Sequence, residues 1–103
     1  MDRLVNITLI TQLKTKDSIG EEIITETSKT IRGELSSVTR DEWFTAQRAD
    51  INAKSRVKVY DFEYNDEVVA ELNGTRYAIY RTYYAGGDKI ELYLGEKGSN
   101  LNG

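Results

Sequence analysis

The chain offers three adjacent carboxylate pairs, Glu21-Glu22, Asp41-Glu42 and Asp66-Glu67. Two carboxylates held at a fixed separation across a cleft perform general acid–base work on a glycosidic bond. Neighbours in a loop, a turn or at a helix N-terminus do not meet that requirement, and read as solvated groups or as partners of a helix dipole. Asp61, Glu63, Asn65 and Asp66 place oxygens around a turn, yet a calcium loop needs a Gly at its sixth position and a Glu at its twelfth, and both are missing. Gly86-Gly87 is followed by neither Lys-Ser/Thr nor a helix, so it forms no phosphate cradle. The run Arg76 to Tyr84 interleaves aromatics with arginine, the pattern on which nucleic-acid-binding barrels stack bases. On a strand it puts Tyr77, Ile79, Arg81 and Tyr83 on one face and Arg76, Ala78, Tyr80 and Tyr84 on the other. Tyrosine also commonly buries its ring in a sheet with the hydroxyl left wet, and Glu71 and Glu91 lie on neighbouring strands. Core plus interface is the stronger reading of this run.

The missing residues restrict the chemistry further. Among 103 residues there is no His, no Cys and no Pro. That removes the Ser-His-Asp relay, imidazole acid–base chemistry, thiolate nucleophiles, disulfides and Cys-ligated zinc. Lys plus Arg number 14 against 17 Asp plus Glu, a net charge of −3. Broad affinity for nucleic acid rests on surplus cations, which this balance lacks. The inventory therefore points to a binding or assembly part rather than an enzyme, with no catalytic residue, cofactor or metal.

The elements that position these residues are mostly strands. Seven Tyr, two Phe and one Trp accompany many β-branched residues, types that suit a pleated surface. Leu4–Leu13 reads as a strand with Val5, Ile7 and Leu9 facing a core, and Leu4, Ile10 and Leu13 off that row. Lys14–Glu22 is polar without a period and reads as a mobile loop. Ile23–Leu35 resumes a strand pattern with apolar ends and a polar middle, Gly33 marking a possible bulge. Thr39-Arg40-Asp41-Glu42 has the form of a capping box, so a short helix over about 40–49 follows, placed to plug one end of a barrel. Ser55–Phe62 alternates again, Tyr64–Glu67 is a turn, and Val68–Leu72 and Thr75–Tyr84 are strands joined at Asn73-Gly74, the strongest short hairpin signal. Lys89–Leu94 is the last strand. The expected fold is mainly β: a small, curved six-stranded β-barrel or half-open sandwich with one short α-helix between the second and third strands. Residues 1–95 form one domain, and 96–103 read as a disordered tail. No stretch approaches the roughly 18 apolar residues that span a bilayer, and the N-terminus lacks a signal-peptide layout, so a cytoplasmic site of folding is expected.

The central stretch resembles the head–tail connector (adaptor, joining or stopper) proteins of tailed bacteriophages and prophages. The likeness starts at Gly33-Glu34-Leu35. It sharpens at Thr39-Arg40-Asp41-Glu42-Trp43-Phe44-Thr45-Ala46-Gln47, which is similar to the family's Ser/Thr-x-x-Glu-aromatic-aromatic-x-Ala-Gln helix. Ser55–Val59, Leu72–Ile79 and Lys89–Leu94 follow in the family's strand order. Family members often have Pro before the helix and after the third strand, where this chain has Ser36-Ser37 and Glu63-Tyr64-Asn65.

The resemblance implies a structural, non-enzymatic head-completion protein. It would form a ring homo-oligomer below the portal and contact a portal or adaptor protein above and a tail protein below. Packaged DNA would pass through the channel without sequence recognition. It would reside in the host bacterial cytoplasm during assembly and then at the virion head–tail interface, with no membrane partner. A ring contact is heterologous, so two different patches must fit each other. The expected interface residues are Phe44, Gln47 and Arg48 on the helix, and Lys14, Lys16 and Asp17 in the polar segment. Trp43 is expected to face the core while Phe44 stays free for a neighbour. An acidic lumen would repel DNA at short range and let it slide. The alternatives are a small β-barrel interaction module outside phage assembly, or a single-stranded nucleic-acid-binding barrel.

Overall fold

A computed structural model describes residues 3–97. In chain order it contains β1 (Arg3–Lys16), β2 (Glu22–Ser36), α1 (Arg40–Arg48), β3 (Ile51–Tyr60), a 3₁₀ turn (Asp61–Glu63), β4 (Val69–Leu72), β5 (Thr75–Gly86) and β6 (Lys89–Lys97). All pairings are antiparallel, and the six strands make one sheet closed in the order β1-β2-β3-β6-β5-β4, with β4 returning to β1. The mainly β architecture and the single helix between the second and third strands are as the sequence predicts.

Alternation explains the interior. Ile7 and Leu9 of β1, Val57 and Val59 of β3, and Leu92 and Leu94 of β6 are fully buried. Each such side chain contributes about 1.5–3 kcal/mol by leaving water. The Asn73-Gly74 turn has positive φ at both residues, 54° and 81°, the geometry that lets the β4–β5 strands keep their twist. The segment from the 3₁₀ turn to β4 crosses between opposite walls. It packs Tyr64 against the interior cluster, with the Tyr64 hydroxyl donating to the Glu67 carbonyl at 2.8 Å.

Four expectations are corrected. The Lys14–Glu22 segment is not a loop: β1 continues to Lys16, β2 starts at Glu22, and only a tight turn separates them. The hairpin leaves the barrel as a two-stranded arm whose residues from Thr11 to Lys16 and Glu22 to Ser28 are all exposed. Hydrophobic alternation reports burial on one face, so a ribbon wet on both faces gives no such signal. Ile23, expected on the core, lies on this arm and is exposed.

Gly33 is not a bulge either. It sits in unbroken register opposite Val5. A Cβ there would lie 2.5 Å from Val57 Cγ1 and 2.8 Å from Val59 Cγ1, so glycine is what allows β2 to cross close over β3. The last strand is longer than expected: Gly95, Glu96 and Lys97 belong to β6 and pair with Ala53, Asn52 and Ile51. The remainder of the expected tail, residues 98–103, lies outside the described residues. The helix packs mainly on β3. Ala46 of α1 is buried, but neither it nor Ala53 of β3 belongs to the interior cluster. A register shift at Lys54 breaks the alternation of β3 between Ala53 and Ser55.

Candidate functional site

The helix is seated on the barrel through one carboxylate. Thr39 caps it, its Oγ1 accepting from the Glu42 N–H at 3.1 Å. Glu42 does not reach back to complete the capping box. Its carboxylate accepts from the Tyr80 hydroxyl at 2.7 Å, from Arg81 Nε at 3.1 Å and from Arg81 Nη2. Strict alternation puts Tyr80 and Arg81 on opposite faces. A register shift between Ile79 and Arg81 opposite β6 breaks that alternation, and both side chains converge on Glu42.

The Arg81 guanidinium also lies 4.0 Å over the Tyr93 ring, and the Tyr93 hydroxyl donates to Glu91. Glu91 is 3.8 Å from Arg56, whose Nε donates to Ser36 Oγ. Glu42 is only 9 % exposed, and the hydrogen bonds from Arg81 hold its carboxyl below the ordinary carboxylate range against the opposing effect of burial. Burial, and then the hydrogen bond to Glu42, push the Tyr80 phenol up. This network joins α1 to β3, β5 and β6. The sequence carries no signal for it, because a Glu three residues after a capping Thr is fully explained by the cap.

With Glu42 and Ala46 turned inward at i and i+4, the rotation of the helix is set. Trp43 therefore does not enter the core, contrary to expectation. It keeps 38 % of its surface exposed and meets the ring of Phe44 edge-on, with centroids 5.2 Å apart. Phe44 is 51 % exposed, and Gln47 and Arg48 are exposed as well. Val38, Thr39, Arg40, Trp43 and Phe44 line a shallow depression of about 440 Å³.

The other predicted residues lie on the arm. Lys14 and Lys16 are exposed on β1. Asp17 forms the tip, where its Oδ1 accepts from the Ile19 N–H at 3.0 Å and the Glu21 N–H at 2.9 Å. At the arm's base Arg76 makes two hydrogen bonds to the Glu26 carboxylate. Those bonds, helped by Gln12, hold the Glu26 carboxyl down to about 2. The helix and arm patches are not brought together. β2 runs from the arm to the helix-bearing end, in a molecule 51 Å long.

Both arginines of the Tyr-rich run are thus engaged by carboxylates, and Tyr77 packs on the core. Tyr83 and Tyr84 of β5 remain exposed, and elsewhere the exposed rings of Tyr60 and Phe62 stack, with Lys89 Nζ 4.6 Å from the Tyr60 ring centroid. Of the three acid pairs, Glu21-Glu22 is exposed on the arm, and Glu67 is buried and accepts from the Asn65 N–H. Among the described residues no cluster of three or more acids could hold a metal ion, and no helix is long and apolar enough to cross a membrane. Neither a scan against protein-family models nor a search of curated proteins finds a match to this chain.

Proposed function

We propose that the protein is a structural joining part of a tailed-phage particle. It forms a ring below the portal, docks the tail and helps retain packaged DNA. The observation that carries this reading is the seating of the motif helix. The Thr39–Gln47 motif is tied to the barrel by its Glu, while Phe44, Gln47 and Arg48 are left exposed to solvent. Such a helix adds little to the interior and is built to meet a neighbour. A second exposed element, the arm, supplies the different patch that a heterologous contact requires. The portal or adaptor above and the tail protein below are the proposed partners, with DNA passing through the bore unread.

Electron microscopy of particles made without the gene tests the role. Full heads that leak DNA or fail to take tails are expected. Particles of normal morphology and infectivity would overturn it. For the competing nucleic-acid reading, salt-dependent binding to single-stranded DNA is the discriminating measurement, and no binding at physiological salt is expected.

A further inference from the structure

We propose that the β1–β2 arm docks tip-first on a second copy of the chain, Ile19 entering the depression between Val38, Trp43 and Phe44 on that copy. This contact deepens the ring reading and rests on it, since a head-to-tail contact is what a ring repeats. Its components are visible in one chain.

The first component is the tip. Ile19 is 78 % exposed, the most exposed large apolar side chain among the described residues. It sits on an ordered turn. The Asp17 N–H donates to the Glu21 carbonyl, the Gly20 N–H donates to the Asp17 carbonyl, and the Asp17 carboxylate accepts from two further N–H groups. Gly20 supplies the left-handed φ of 88° that closes the turn. A knob held in place in this way loses little freedom when it is bound.

The second component is the depression, whose floor is apolar and aromatic. Charge distinguishes this occupant from others. The tip turn, positions 17 to 21, carries Asp17 and Glu21 and no cation, and at its neck Glu22 stands opposite Lys16. The depression is bordered by Arg40, and Arg48 follows Phe44 along the same side of the helix, at i, i+4 and i+8. Arg81 is taken up by Glu42, but neither Arg40 nor Arg48 has an ion-pair partner among the described residues. An aliphatic knob with an acidic collar thus meets an aromatic hollow with a basic rim.

Knob and hollow lie toward opposite ends of the molecule, so one copy presents the knob and the next receives it. A single tip covers far less surface than a stable dimer needs. The contact is therefore weak between free copies and strengthens when a platform holds several side by side.

The chain contains no Cys, so single-cysteine variants report cleanly. Purified full-length Ser18→Cys and Val38→Cys proteins are mixed at high concentration and oxidised. The mixed 18–38 disulfide is expected to exceed either homodimer by about tenfold, an energetic preference of about 1.4 kcal/mol. Ile19→Asp in the first protein, or molar salt, should reduce that preference to the statistical ratio. A statistical ratio in the parent mixture, or a preference unmoved by Ile19→Asp, overturns the proposal. Gln47→Cys replaces Val38→Cys if circular dichroism shows the latter misfolded. Absence of the preferred disulfide, with the protein still found at the head–tail joint, removes this contact alone. Its presence, with the protein missing from particles, removes the connector reading alone.

Discussion

Replacing Glu42 should loosen the helix from the barrel and lower stability, and the size of the loss follows from its partners. The carboxylate receives hydrogen bonds from Tyr80 and from two nitrogens of Arg81. Hydrogen bonds to a charged group are worth about 1.5–3 kcal/mol net. Glu42 is buried, but the Arg81 side chain is 45 % exposed and recovers water when its partner is lost. The loss therefore falls well short of the roughly 3–5 kcal/mol for breaking a fully buried pair. Glu42→Gln keeps an oxygen for Tyr80 and should cost about 1–2 kcal/mol. Glu42→Ala should cost about 2–3 kcal/mol, or roughly 10 °C in melting temperature for a domain of this size.

Urea unfolding followed by far-ultraviolet circular dichroism measures the loss. Trp43, the only tryptophan, reports the helix separately by its fluorescence. The pH dependence has a definite sign. Glu42 has a lowered folded-state pKa, so its contribution is present above the ordinary value of 4.5 and drains away as the pH falls through the folded value. The gap between wild type and Glu42→Gln should therefore hold steady above about pH 5 and narrow as the pH falls below 4.5. A loss below about 0.5 kcal/mol for Glu42→Ala, or a gap that stays constant on acidification, would refute the role assigned to this carboxylate.

Other perturbations test other parts of the structure. Gly33→Ala drives a methyl into Val57 and Val59 and should cost about 1–3 kcal/mol in denaturant unfolding, with partial rescue by Val57→Ala. A neutral or stabilising Gly33→Ala would show that β2 and β3 do not cross this closely. Arg76→Gln removes the main cause of the low Glu26 pKa, so an NMR titration should find that carboxyl moving from about 2 back toward 4.5. No movement would mean that the arm's base is not held by this pair. Phe44→Ala should leave stability within about 1 kcal/mol, because half of the ring is already in water, yet it should weaken head–tail joining. A large drop in melting temperature with normal assembly contradicts the assignment.

Much of the barrel is legible in the residues. Period-two alternation in Ile7 and Leu9, Val57 and Val59, and Ile90, Leu92 and Leu94 places the inward faces, because burial on one side of a pleat leaves that mark. Asn73-Gly74 dictates its turn through positive φ, and Thr39 dictates a helix start through an orphan N–H. These effects act over a few residues and need no tertiary partner.

What escaped depends on groups far apart in sequence. The arm is strand because β1 and β2 pair along their whole lengths, although neither face there is buried. Gly33 is required by valines of a strand more than twenty positions later. The register shift opposite β6 that turns Tyr80 and Arg81 to one carboxylate is a property of two paired strands. Composition and spacing alone determined a mainly β chain with neither His nor Cys. Only the tertiary structure decided that Glu42 and Ala46, rather than Trp43, face the barrel. The rotation of a short helix is set by the best-bonded and best-packed side chain, and here that is a carboxylate whose partners lie nearly forty residues away.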